Sequence, residues 1–259
     1  MNAPQLVTSR DNPLLKDLRR LAQDSTAYRK QGRVWLEGDH LCRAALQRGQ
    51  KPAIAIVQES YWPQVAHEFH GAADKTLLVA DALFAGLSGL ESPGRMGFVL
   101  SLPAAPQVQA DAPTVILDGL QDAGNVGAIL RSAAAFGFRQ VLAMKGTAAL
   151  WSPKVLRAGM GAHFALSLIE SLAPAQLDAL AVPLLATSSH QGDFLHEAKL
   201  PWPCAWVMGH EGQGVSAELA GRATTHVRII QPGGEESLNV AAAAAICLHA
   251  SAAAHAHSA

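Results

Sequence analysis

From Leu14 to Gln23 the apolar residues Leu14, Leu15, Leu18, Leu21 and Ala22 recur with the spacing of one helix face, and Lys16, Arg19, Arg20 and Gln23 recur at i, i+3, i+4, i+7 on another. The pattern predicts an amphipathic helix with a basic stripe. Beyond it, short apolar runs alternate with helical stretches: strand Val34 to Leu36, helix Leu41 to Leu46, strands Ile54 to Val57 and Leu77 to Val79, helix Ala82 to Leu87, and strand Phe98 to Leu102. This reads as a small α/β unit. Leu102 to Pro113, rich in Pro, Ala and Gln and without period, reads as an extended linker.

After it the alternation restarts. Thr114 to Leu117 reads as a buried strand, Asn125 to Phe136 as a helix closed by Gly137, and Gln140 to Met144 as a strand. Helices are expected near Pro153 to Arg157 and Pro174 to Ala181, strands at Leu184 to Ala186, Ala205 to Met208 and Val227 to Ile230, and a long helix from Ser237, with a frayed tail after Leu248. Strands alternating with helices imply a largely parallel sheet covered on both faces. The expected division is a domain over 1–103, a linker over 104–113 and a second domain over 114–259.

Composition narrows the class. The 259 residues are 49% hydrophobic and 16% charged, with mean hydropathy +0.14, too apolar for a disordered chain. The longest apolar stretch, Val240 to Leu248, falls short of a membrane span. The first residues show no basic region followed by an apolar block, so the chain reads as cytoplasmic. Cys42, Cys204 and Cys247 lie far apart and read as buried thiols. The net charge of -1 hides a polarity: residues 1–50 carry nine Lys/Arg against five Asp/Glu, and the rest eleven against sixteen. A basic N-terminal part is what a polyanion site produces, and Arg10, Arg29, Lys30 and Arg33 flank the basic helix, although a solvated helix face gives the same pattern.

Three segments each follow a predicted strand: the run from Asp118 to Gly137, Met208 to Ser216, and Ile229 to Ala241. In a parallel sheet such strand ends share one edge, where ligands bind. Taken singly, each has a plain reading as turn glycines, a solvated arginine or a helix cap. The order Gly209, Gly212, Gly214 is not the G-x-G-x-x-G of dinucleotide binding, and no glycine run ends in Gly-Lys-Ser or Gly-Lys-Thr. His67 and His70, at i, i+3, lack the i, i+4 spacing of a zinc protease helix, and no metal site is expected.

In this order and spacing the segments resemble the three motifs of the SpoU/TrmH family of SPOUT methyltransferases. Asn125 with Arg131 resembles motif one; Gly209, Glu211 and Gly214 motif two; and Gly233 followed by Ser237, Leu238, Asn239 and Val240 motif three. The N-terminal part is similar in outline to the substrate-binding domain of members that modify ribosomal RNA. One departure stands out: members usually carry Ile-Pro-Met before the glycine turn, and this chain has Ile229, Ile230 and Gln231, then Pro232.

The resemblance implies a trefoil-knotted parallel sheet with helices on both faces plus a small N-terminal α/β domain, a knot that no pattern argument could predict. It implies methyl transfer from S-adenosylmethionine to a ribose 2'-hydroxyl, with ribosomal RNA the favoured substrate, and a homodimer paired through the C-terminal domain. It further implies that Asn125, Arg131, Glu211, Ser237 and Asn239 serve catalysis, and that Gly209, Gly214, Ile229 and Leu238 hold the cofactor. A guanidinium with pKa above about 12 is no ordinary base, so Arg131 is expected to bind phosphate and stabilise the developing alkoxide. Lys16, Arg19 and Arg20 are the expected RNA contacts. The alternatives are a transfer RNA 2'-O-methyltransferase and a non-catalytic RNA-binding assembly factor that retains the fold.

Overall fold

The structure, a computed structural model, describes residues 4–89, 93–102, 104, 106–188, 191–233 and 237–256. Its elements in chain order are β1 Gln5–Val7, α1 Pro13–Gln23, α2 Ala27–Gln31, β2 Arg33–Glu37, α3 Asp39–Gln47, β3 Ile54–Gln58, α4 Trp62–Phe69, β4 Lys75–Val79, α5 Asp81–Phe84 and β5 Met96–Ser101. There follow β6 Thr114–Asp118, α6 Ala123–Ala135, β7 Gln140–Met144, α7 Pro153–Gly159, β8 Ser167–Leu172, β9 Leu184–Thr187, β10 Asp193–Phe194, β11 Ala205–Gly209, α8 Ala217–Arg222, β12 Thr225–Arg228 and α9 Val240–Ala256. The chain divides into two compact units, Met1–Ala104 with Trp151–Phe164, and Ala105–Leu150 with Ala165–Ala259. Residues 151–164, inside the expected second domain by sequence, therefore pack with the first unit.

The first unit holds a five-stranded mixed sheet in the order β1-β4-β3-β5-β2. Its core strands are continuous apolar runs, Val34 to Leu36, Ala55 to Val57 and Met96 to Leu100, that are buried on both faces. Asn12 starts α1 by accepting the Leu14 N–H at 2.9 Å, and Pro13 supplies the first helical φ. Leu15, Leu18, Leu21 and Ala22 form its buried face, as the spacing predicts. The helix α4 was not legible as one, yet Val65 and Phe69, at i, i+4, make its buried stripe.

The second unit is a wholly parallel seven-stranded sheet, β10-β12-β9-β11-β6-β7-β8. Alternation along β11 shows both faces covered. Ala205 and Val207 pack with Ile116, Leu142, Leu177 and Leu219, under α8 and a 3₁₀ turn at Pro174–Ala179. Trp206 points the other way, and its indole N–H donates to Ser251 Oγ of α9 at 2.9 Å. Among the described residues no helix is long and apolar enough to cross a membrane.

Several local expectations need correction. The helix expected over Pro174 to Ala181 is the 3₁₀ turn Pro174–Ala179, and β12 ends at Arg228, before Ile229 and Ile230. The last helix begins at Val240, with Asn239 accepting the Ala241 and Ala242 N–H groups at 2.9 and 3.2 Å, so Asn239 and not Ser237 is its cap. It also runs on to Ala256, because Trp202 stacks on His255 at 4.9 Å and Phe136 meets His249 edge-on at 5.4 Å, and these contacts hold the segment expected to fray.

Candidate functional site

The site grows from the carboxyl ends of β6 and β11, where Asp118 and Gly209 are register partners. Beyond Asp118 the chain turns through Gly119, at φ +75°, into α6, and Asp122 caps that helix by accepting the Asn125 N–H at 2.7 Å. Beyond Gly209 a tight turn closes on itself: His210 N–H donates to Gly214 O at 2.9 Å and Gly214 N–H to His210 O at 2.8 Å. Gly214 holds φ +70° there, which strains any side-chain-bearing residue, and a Cβ on Gly209 would lie 2.1 Å from the Gly214 carbonyl carbon, which excludes one. Asp118 braces the far end by accepting the Ser216 N–H at 2.7 Å.

Glu211 sits on this turn and reaches across to the start of α6. Its carboxylate accepts the Gln121 and Asp122 N–H groups at 3.3 and 3.1 Å and the Asn125 side-chain amide at 3.2 Å. Partial burial opposes its ionisation, but the hydrogen bonds from backbone amides and Asn125 outweigh it and hold the carboxyl below its usual value. Asn125 passes the connection on, since its Oδ1 accepts the Asn239 amide at 3.0 Å. One residue of each motif thus stands in a single hydrogen-bonded line, Glu211, Asn125, Asn239, that ends at the first N–H groups of α9.

Beside that line lies a cavity of about 720 Å³. Gly209, Glu211, Gly214, Ile229, Ser237, Leu238 and Asn239 all line it, as do Thr187 and Ser188 at the end of β9, His210 and Gln231. The wall combines glycine backbone that admits close approach, apolar Ile229 and Leu238, and hydroxyl and amide groups. That mixture suits a flat purine, a ribose and an amino-acid tail in one ligand, and the volume is that of a small-molecule site. Gln231 Oε1 is buried without a hydrogen-bond partner among the described residues, a polar cost at the position where the Ile-Pro-Met pattern departs.

Arg131 is not brought to this cavity. It is exposed on α6, and six residues from Asn125 place it about 120° round the helix and about 9 Å along it. Lys16, Arg19 and Arg20 belong to α1 in the other unit. Gly234, which follows Gly233 in the third motif, lies outside the described residues. Sequence reasoning missed Asp118, Thr187, His210 and Gln231. Asp118 and Thr187 end parallel strands, which is the signal that could have found them. His210 is fixed by its own turn, its Nδ1 accepting the Gly212 N–H at 3.0 Å.

Residues 112–249 match the SpoU rRNA Methylase family. Over 254 residues the chain is 32% identical to an uncharacterized tRNA/rRNA methyltransferase of Synechocystis, covering 94% of this chain and 92% of that one. It is 29% identical to the 23S rRNA (guanosine(2553)-2'-O)-methyltransferase of Bacillus subtilis, over 94% of this chain and 97% of that one. Among solved structures it is similar to an RNA 2'-O ribose methyltransferase, with TM-score 0.79 and 31% identity over 97% of this chain and all of that one. It is also similar to the AdoMet-bound rRNA methyltransferase of Sinorhizobium meliloti, with TM-score 0.81 and 27% identity over 98% of both chains.

Proposed function

The chain belongs to the SpoU rRNA methylase family, and from that premise we propose how its residues divide the work. It is an S-adenosylmethionine-dependent RNA methyltransferase that acts on a ribose 2'-hydroxyl of ribosomal RNA. The observation that carries this to the present site is the line Glu211, Asn125, Asn239, which ties the three motifs together beside a cavity suited to the cofactor.

When bound, the cofactor supplies an electrophilic methyl group on a sulfonium whose charge disappears in transfer. The turns at Gly209 and Gly214, with Ile229 and Leu238, hold its adenosine and methionine parts. Glu211 stays ionised and fixes Asn125, and Asn125 fixes Asn239. Ser237 and Asn239, at the mouth of α9, orient the ribose, where a helix N-terminus favours a developing negative charge. Arg131 binds the phosphate beside the target nucleotide and lowers the effective pKa of the hydroxyl by stabilising the alkoxide, and the proton released as the oxygen takes the methyl group passes to water.

Arg131 does not line its own chain's cavity, and two chains pair through the C-terminal unit, with Arg131 of one acting beside the cofactor of the other. Ile246, exposed on α9, and the alanines around it are the surface available for that pairing. Lys16, Arg19 and Arg20 track the RNA backbone, and the enzyme works in the cytoplasm. Mapping 2'-O-methylation across total RNA with and without the protein tests the assignment: one ribosomal RNA site should vanish, whereas loss confined to transfer RNA would redirect it.

A further inference from the structure

Three residues carry the chain out of β12. Ile229 and Gln231 line the cavity, whereas Ile230 between them does not and is 57% exposed. That alternation is the side-chain period of an extended chain and turns the side chains of Ile229 and Gln231 toward the cavity. Gln231 Oε1 is shut off from solvent and has no hydrogen-bond partner among the described residues. A carbonyl oxygen left in that state costs stability, and the cost is recovered only when a donor reaches it. Members of the family usually carry Met at this position, and a thioether is at most a weak acceptor. A Met has about the same length and would fill the place without the polar cost.

Of the donors that a cofactor of this class offers, the carboxamide fits one. The amino-acid ammonium carries a full charge, which a neutral amide beside Ile229 answers poorly. A ribose hydroxyl donates and accepts over a wide range of directions and makes no use of a planar group. The adenine edge does, because its exocyclic amine and the adjacent ring nitrogen stand side by side as donor and acceptor, the complement of a glutamine carboxamide. Its flat face also suits the apolar wall at Ile229.

We propose that Gln231 reads the adenine of S-adenosylmethionine, its Oε1 accepting from the exocyclic 6-amine and its Nε2 donating to the neighbouring ring nitrogen, so that a side chain selects adenine over a 6-oxopurine. This rests on the S-adenosylmethionine reading of the cavity. It makes Gln231 a specificity residue for the cofactor, separate from the line Glu211, Asn125, Asn239.

The test is calorimetric, on the unsubstituted protein and on Gln231→Met, with S-adenosylhomocysteine and its inosine counterpart, in which a 6-oxo group replaces the amine. The oxo group sets one acceptor against another, so the unsubstituted protein should prefer the adenosine compound. Gln231→Met should shrink that preference about ten-fold and weaken S-adenosylhomocysteine about five- to ten-fold. Without ligand the Met variant should melt about 2 to 4 °C higher, since it buries no unanswered oxygen, and higher stability with lower affinity is not the signature of a residue that only packs. A preference left unchanged by the substitution overturns the proposal even where affinity falls, because Oε1 then answers another group, and it leaves the cofactor reading standing. Failure of S-adenosylhomocysteine to bind the unsubstituted protein overturns the cofactor reading and the proposal with it.

Discussion

Asn239 donates its amide to Asn125 Oδ1 at 3.0 Å while its own Oδ1 accepts the Ala241 and Ala242 N–H groups at 2.9 and 3.2 Å. One side chain thereby caps the last helix and fixes the middle member of the site. The two roles separate by substitution. Asn239→Ala should cost about 1 kcal/mol of stability through the lost cap and lower methyl transfer about a hundred-fold through misplacement. Asn239→Ser should recover most of the stability, read by thermal melting, but not the activity. Full activity in the Ser variant would show that only the cap matters.

Arg131→Ala should abolish methyl transfer and leave S-adenosylmethionine affinity, measured by calorimetry, nearly unchanged, since the side chain is exposed and does not line the cavity. Equal loss of both would overturn its assignment to the RNA.

Mixing subunits tests sharing. A chain with Arg131→Ala and one with Gly209→Ala, whose Cβ the Gly214 backbone forbids, are each expected to be inactive. Their heterodimer should regain up to about half of its sites if sites are built across two-fold symmetry. No recovery in a purified heterodimer would confine the site to one subunit, and a monomeric mass in solution would remove the premise.

Glu211 carries a pH signature. A carboxyl held below its usual value supports the site fully above the ordinary carboxylate range, near about 4.3, and withdraws that support as pH falls through the lower native value. S-adenosylmethionine affinity should therefore persist through the ordinary carboxylate range and fall only at more acid pH. Glu211→Gln should bind more weakly at neutral pH and lack this acid limb; a matching limb in that variant would place the titration elsewhere.

Burial pushes the Cys204 thiol up to about 11 and Cys247 to about 12, and raises Cys42 further from reactivity. The thiolate is the reactive form, so at pH 8 an aromatic disulfide reagent should find no reactive thiol in the native protein and three after unfolding. Fast reaction of any one would contradict its burial.

Much of this architecture is written in local pattern. Val115 to Leu117, Val141 to Met144 and Ala205 to Met208 are apolar without alternation because parallel strands covered on both faces bury every side chain, and such runs announce themselves. The three motifs were legible for a related reason: glycines at forced φ, caps and strand ends are local demands on residue type. Edge strands make no such demand. The strand β8 buries only Leu168 and Leu172, is broken by a register shift against β7 and holds Ser171 at φ +60°, so no period of two survives in it. The strands β1 and β10 are shorter still.

What the sequence could not determine is which surfaces meet. The stripe Val155, Leu156 and Gly159 declares that α7 is buried on one side, yet an apolar stripe is non-directional and does not say that β2 and α1 cover it. Likewise the spacing of Asn125 and Arg131 is fixed by the chain, but only the docking of α6 turns one toward Glu211 and leaves the other outward. The line from Glu211 to Asn239 joins residues 86 and 114 positions apart. Such pairings are decided by the tertiary packing, because hydrogen bonds reach about 3 Å and only a completed sheet brings their partners within that range.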